Sequence, residues 1–135
     1  MLNTNKKNLE NQISCKSAGI SAIENQSADS NISIINLRSH KSHKIRDEDF
    51  SNYNYLIALD ESVRVFLESK KYLNSNINIM LLKDYDDNQD NEANIRDPYD
   101  IDGNLDKKLE KQMFGTIERC CKNLLECLES EIYTR

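Results

Sequence analysis

The sequence has no long apolar run and contains little proline or glycine. None of its apolar stretches approaches the ~20 residues that a membrane-spanning helix needs. The polar start, Met1 to Lys7, does not resemble a signal peptide. Proline occurs once, at Pro98, and glycine three times. These absences argue against a membrane partner and a secreted precursor, and we expect a cytoplasmic protein.

The chain also lacks a surplus of basic residues and the cysteine spacing of a disulfide or zinc framework. Its net charge of −5 argues against general nucleic-acid binding. The four cysteines include the pair Cys120-Cys121, which favours free thiols in a reducing cytosol. Together with Cys127 this pair falls on or beside the apolar face of a helix, so we expect buried, inert thiols.

An acidic stretch between residues 84 and 92 invites a calcium site. It lacks the glycine and the final glutamate of an EF-hand loop. The two histidines, His40 and His43, do not form a zinc signature with these acids either. We therefore predict a solvated loop in this stretch, and a protein with no metal ion and no cofactor.

What is present is the pattern of one α/β domain. With 135 residues, the chain is long enough to bury about two-thirds of its unfolded surface. Asp60 stands where a helix N-cap is expected, after an apolar run. Strand-like segments cover 13–17, 55–59 and 77–82, and helix-like segments cover 60–73 and 105–131. This alternation predicts a parallel sheet with helices on both faces and a ligand site at the carboxyl ends of its strands.

Asp97, in the run Arg96-Asp97-Pro98-Tyr99, is the first candidate for a catalytic residue. Proline fixes φ and keeps the residue before it out of the helical region, so the run predicts a turn. An Asp held in such a turn can protonate a leaving-group oxygen while the Tyr99 ring packs against an aromatic substrate. In isolation, Asp-Pro-Tyr is more often an ordinary turn.

Three further segments accompany this run in a fixed order. They are Lys16-Ser17-Ala18-Gly19-Ile20-Ser21, Ile45-Arg46-Asp47-Glu48-Asp49-Phe50 and Tyr55-Leu56-Ile57-Ala58-Leu59-Asp60-Glu61-Ser62. Together the four motifs resemble the low-molecular-weight protein tyrosine phosphatase family over residues 9–128. The resemblance implies a three-layer parallel sheet of the phosphotyrosine phosphatase I type. It also implies hydrolysis of phosphotyrosine through a phosphocysteine intermediate.

The resemblance gives roles to four residues. Asp97 takes the position of the general acid, which protonates the tyrosine leaving group and then activates water against the phosphocysteine. Tyr99 takes a position that lines the substrate cleft, and Asp100 stands where the family commonly has a second tyrosine. Ser17 and His40 take positions that brace the phosphate loop, although a strand-end serine and a surface histidine fit the sequence equally well.

The nucleophile of the family is not found in this sequence. It is a Cys followed six positions later by an Arg, in a loop whose backbone N–H groups hold the phosphoryl oxygens. The residues six positions after the four cysteines are Ser21, Glu126, Cys127 and Tyr133. The resemblance begins at the family's second strand. We therefore expect a frayed or disordered segment at 1–8, and a domain at 9–131 that lacks the first strand, phosphate loop and first helix.

Three functional hypotheses follow. The chain is part of a phosphatase whose start is missing, a non-catalytic pseudophosphatase that binds a partner protein, or a degenerate product without function. A complete site would act on a phosphotyrosine protein or a small aryl phosphate, whereas this chain is expected to be inactive. The first strand is central in the family's sheet, and each orphaned buried backbone group costs about 1–3 kcal/mol. We therefore expect an unstable chain, or one whose sheet is completed by a partner strand.

Overall fold

The computed structural model describes residues 13–27, 41–88 and 94–133. Its helices and strands are α1 (Asp49–Asn52), β1 (Tyr55–Ala58), α2 (Glu61–Ser69), β2 (Asn78–Leu81) and α3 (Lys107–Tyr133). Two short 3-10 helices, η1 (Lys71–Leu73) and η2 (Leu82–Tyr85), follow α2 and β2 respectively. The predicted strands at 55–59 and 77–82 and both predicted helices are confirmed, with ends that differ by at most four residues.

The predicted strand at 13–17 is wrong. Residues 13–18 have no regular secondary structure, and residues 14–18 are exposed. Gly19 forms an isolated parallel bridge with Lys44 instead. A strand needs a neighbour that accepts its whole ladder of hydrogen bonds, and here that pairing is limited to a single bridge.

The two strands pair in parallel, with Tyr55 opposite Asn78 and Ala58 opposite Leu81. The chain between them passes through α2, which is the connection that parallel neighbours require. Since side chains alternate across a strand, Ile79 and Leu81 of β2 face α2 while Met80 between them faces α3. Leu56 and Ala58 of β1 also face α2. The result is an α/β fold with a parallel sheet, as predicted.

Each face of the sheet has its own apolar cluster. On the α2 side the buried residues are Phe50, Ala58, Leu67, Ile77 and Leu81. On the α3 side they are Leu82, Ile95, Cys120 and Leu124, with Met80 of β2 packed against them. The helices α2 and α3 therefore form the outer layers of a three-layer arrangement.

Asp60 caps α2, as its position in the sequence predicts. Its Oδ1 accepts a hydrogen bond from the backbone N–H of Val63 at 2.8 Å, and the Ser62 hydroxyl donates to the same oxygen at 2.7 Å. The Asp60 backbone is extended, which is typical of an N-cap. These hydrogen bonds hold the pKa of Asp60 below its ordinary value. The cap fixes the point at which the chain turns from β1 into α2.

Cys127 departs from the expectation for the thiols of α3. Cys120 is buried and Cys121 is half-buried, but Cys127 is exposed. Cys127 immediately precedes Leu128, and successive residues of a helix differ by about 100° in direction. It therefore lies outside the apolar stripe that Leu124 and Leu128 form.

No helix within the three described ranges combines the length and the apolar character needed to cross a bilayer.

Candidate active-site loop

The segment from Asn94 to Asp97 lies beside the carboxyl end of β1. The backbone N–H of Ile95 donates to the carbonyl oxygen of Leu59 at 3.0 Å. The side-chain oxygen of Asn94 accepts from the backbone N–H of Glu61 at 2.8 Å. These two bonds attach the segment to the junction of β1 and α2. In open α/β sheets this end of the strands is where ligands bind.

Asp97, Pro98 and Tyr99 form the turn that the sequence predicts. One carboxylate oxygen of Asp97, Oδ1, accepts the backbone N–H of Tyr99 at 3.0 Å, which is the geometry of an Asx turn. The Asp97 side chain is exposed, Pro98 is buried and Tyr99 is half-buried. The buried proline fixes the base of the turn, and the Asp97 carboxylate lies at the surface.

After this turn, the chain runs back past Tyr99 and enters α3. Tyr99 forms an antiparallel bridge with Leu105, and the carbonyl of Pro98 accepts the backbone N–H of Asp106 at 2.9 Å. Asp106 then caps the helix, because its Oδ1 accepts from the backbone N–H groups of Lys108 at 2.9 Å and Leu109 at 3.2 Å. The sequence analysis missed this cap, although an Asp directly before a helix is its usual signal.

Asp100 holds the tip of the loop. Its side-chain Oδ1 accepts the backbone N–H of Asn104 at 2.8 Å, and its carbonyl accepts that of Gly103 at 3.0 Å. Gly103 has a φ of +82°, in the left-handed region that favours glycine. The residue that stands where the family commonly has a second tyrosine therefore has a structural role here.

A buried ionic network attaches η2 to α3. Lys83 Nζ lies 2.6 Å from Asp86 Oδ2, and Arg119 Nε donates to Asp86 Oδ1 at 3.2 Å. The Asp86 carboxylate is almost fully buried. The hydrogen bonds from Arg119, and secondarily from Lys83, hold the pKa of Asp86 well below its ordinary value. The prediction of a solvated loop is wrong for this residue, since its cationic partners replace water.

The other two predicted site residues are Ser17 and His40. Ser17 is exposed and forms no hydrogen bond with any residue in the described ranges. His40 lies outside the described residues. The structure therefore places Asp97 and Tyr99 together and leaves the bracing roles of Ser17 and His40 as predictions.

Two of the three thiols of α3, Cys120 and Cys121, are not activated as nucleophiles. Burial raises the pKa of Cys120 and of Cys121, which favours the protonated thiol over the reactive thiolate. No group of three or more His, Cys, Asp or Glu residues in the described part of the chain is arranged to hold a metal ion.

Known proteins resemble this chain in sequence and in fold. The family model described as "Low molecular weight phosphotyrosine protein phosphatase" matches residues 1–133. The crystal structure of YfkJ from Bacillus subtilis is 24% identical, with 93% of this chain and 79% of that chain covered and a TM-score of 0.68. No curated protein sequence matches the chain.

Two further solved structures show the same fold over shorter stretches. DARP, the drosophila arginine phosphatase, is 24% identical over 67% of this chain and 57% of its own, with a TM-score of 0.52. Primo-1 is 24% identical over 62% of this chain and 53% of its own, with a TM-score of 0.50. This chain thus spans little more than half the length of either protein.

Proposed function

Since this chain belongs to the low molecular weight phosphotyrosine protein phosphatase family, we propose that Asp97 is the general acid of a phosphotyrosine-hydrolysing site. We propose further that these 135 residues alone do not complete the reaction. The observation that supports the first part is the exposed Asp97 carboxylate, held by the Tyr99 N–H in a turn attached to the end of β1.

The role of Asp97 follows from the charge that develops during phosphoryl transfer. As a cysteine thiolate attacks phosphorus, the bond to the tyrosine oxygen breaks and a phenolate leaves. A carboxylic acid within reach donates its proton to that oxygen, and the resulting carboxylate later accepts a proton from the attacking water. We propose that Tyr99, which shares the turn with Asp97, contacts the aromatic ring of the substrate.

The second part of the proposal rests on the nucleophile. None of the four cysteines is followed six positions later by an Arg, which would hold the phosphoryl oxygens. The buried Cys120 is further disfavoured, because burial raises its pKa. A general acid without a thiolate partner has no phosphoenzyme to form or to hydrolyse.

Phosphoenzyme trapping tests whether the chain can form the phosphocysteine intermediate. The purified chain is incubated with p-nitrophenyl phosphate in mildly acidic buffer, denatured rapidly in alkali, which preserves a cysteine S–P bond, and weighed by intact-protein mass spectrometry. We expect the unmodified mass alone. A species heavier by one phosphoryl group would overturn the proposed inactivity, and its absence from one of the four Cys→Ser variants would identify the nucleophile.

A non-catalytic binding module is the second candidate function, favoured by the exposed apolar side chains of the sheet. Ile57 is 38% exposed and Leu59, directly after β1, is 48% exposed. In the part of the chain that the structure describes, β1 pairs with β2 alone. Exposed apolar residues on a strand with an available edge favour the addition of a partner strand.

Cooperative folding distinguishes this second candidate from a product without function. A binding module requires a defined surface, so its circular-dichroism signal should be lost in one cooperative transition as urea is added. A gradual loss of signal, or a chain that stays insoluble, would contradict a binding role for the isolated chain.

A further inference from the structure

A groove of about 530 Å³ lies along α3. Its lining within the described ranges comes from one face of this helix and consists of Lys108, Lys111, Gln112, Gly115, Thr116 and Arg119. These residues recur every three or four positions, as neighbours on a helix surface do. They do not include the residues of α3 that pack on the sheet, such as Cys120 and Leu124. The described lining therefore contains no buried core residue of α3 and no residue of the Asp97 turn.

The charge of the groove is positive. Lys108 and Lys111 are exposed, and neither forms an ion pair with a residue in the described ranges. Arg119 brings a third cation, whose guanidinium also donates to Asp86 and to the Thr116 hydroxyl. No carboxylate belongs to the described lining. Within the described residues, the groups that could meet a ligand are thus two exposed ammonium groups, an amide and a hydroxyl.

Lysines outnumber glutamates in the first two turns of α3. Lys107, Lys108 and Lys111 stand there beside Glu110, which is buried and pairs with Lys107, and the last turn has no basic residue. The helix dipole makes this end positive and the lysines add to that potential, whereas Glu110 and the capping Asp106 offset part of it. Lys108 and Lys111 are therefore exposed cations at one end of α3, in a chain whose net charge is −5.

Gly115 lies in the middle of the groove. Glycine inside a helix is less favourable than alanine, so its presence needs a reason. A Cβ atom built on Gly115 would meet only the Arg119 guanidinium, at 4.0 Å. No packing within the described chain therefore requires glycine here. A missing side chain does permit the backbone of a second molecule to approach closely.

We propose that this groove binds an acidic segment of a partner protein. Asp and Glu side chains of the partner pair with Lys108 and Lys111, and its backbone lies over Gly115. A polypeptide fits better than nucleic acid, since the described lining has no aromatic side chain for base stacking. It fits better than a membrane surface, since the lining has no large apolar side chain to insert. This proposal does not depend on the chemistry at Asp97.

Fluorescence anisotropy with a labelled poly-glutamate peptide tests the proposal, with a poly-glutamine peptide as the neutral control. We expect the full chain to bind poly-glutamate alone, and the affinity to fall as salt is added. The Lys108→Glu/Lys111→Glu variant should bind at least about tenfold more weakly. Gly115→Leu, which fills the groove without changing charge, should bind about fivefold more weakly.

A second charge reversal provides the matched control. Lys16→Glu/Lys44→Glu changes the net charge equally, at two exposed lysines outside the groove, and should bind within about twofold of the parent chain. Equal weakening by both double variants would overturn the proposal, and so would unchanged binding by Gly115→Leu. Tighter binding of single-stranded RNA or of phosphatidylserine vesicles would also overturn it. Circular dichroism establishes that each variant is folded.

Discussion

Ile95 donates its backbone N–H to the carbonyl oxygen of Leu59 at 3.0 Å, and its side chain is buried against α3. The segment that leads to Asp97 is thus fixed to the end of β1 on one side and to a helix on the other. The position of Asp97 consequently depends on the packed core as well as on its own turn. This is the arrangement expected of a reactive group on a loop that a rigid scaffold supports.

The Asp86 network should contribute strongly to stability. Replacing Asp86 with Ala removes the buried carboxylate that pairs with both the Lys83 ammonium and the Arg119 guanidinium. We expect the free energy of unfolding to fall by about 3–5 kcal/mol, measured by urea denaturation at neutral pH. Asp84→Ala, at an exposed neighbour, should change it by less than about 0.5 kcal/mol. Similar small losses in both variants would contradict the network's role.

The same carboxylate should make the protein sensitive to acid. The pKa of Asp86 is held below its ordinary value of 3.8 in the folded state, chiefly by Arg119. Its stabilising contribution is therefore complete above that value, and it is lost as the pH falls below about 4 towards the folded pKa. The urea midpoint should fall more steeply with acid in the parent chain than in Asp86→Asn. Parallel pH profiles would show that Asp86 is not responsible.

The structure predicts opposite effects for two glycine substitutions. Gly115→Ala should raise the free energy of unfolding by about 0.4–1 kcal/mol, because the new methyl group meets nothing closer than 4.0 Å. Gly103→Ala should lower it by about 1–2 kcal/mol, because Gly103 has a φ of +82°. Urea denaturation of the two variants measures both effects. If Gly115→Ala were less stable than the parent chain, the α3 groove would have no room for a methyl group at residue 115.

The four thiols should differ in reactivity at neutral pH. Cys15 and Cys127 are exposed and should react first with a disulfide reagent such as dithionitrobenzoate. Cys120 is 0% exposed, and burial raises its pKa, so it should react last, after Cys121. Peptide mapping after short labelling identifies the order. Rapid labelling of Cys120 would reveal an accessible thiolate that the structure does not contain.

The features that the sequence predicts correctly depend on nearby residues. Asp60 was identified as a helix cap and Asp97-Pro98-Tyr99 as a turn, because each is set by side chains within three positions. The prediction of a strand at 13–17 was wrong because a strand also needs a neighbouring strand, distant in sequence, with which to pair. The bond between Asp86 and Arg119 joins residues 33 positions apart, and nothing in either local pattern indicates it.

The Asp97 turn shows the same dependence on the folded chain. Asp97 and Tyr99 were placed together by the motif, and the structure keeps them in one turn. The role of Asp100 in closing the loop depends on the backbone of Asn104, whose position only the folded loop defines. A substituted residue in a family motif can therefore have a structural role that its sequence position does not suggest.

Steady-state hydrolysis of p-nitrophenyl phosphate is the measurement that tests our proposal most directly. The purified 135-residue chain is assayed in mildly acidic buffer beside Asp97→Ala and the four single Cys→Ser variants. We predict a folded circular-dichroism signal and no release of nitrophenol above the buffer background. Turnover that disappears in one Cys→Ser variant and falls in Asp97→Ala would contradict the proposed inactivity, because it would require a nucleophile among these four cysteines.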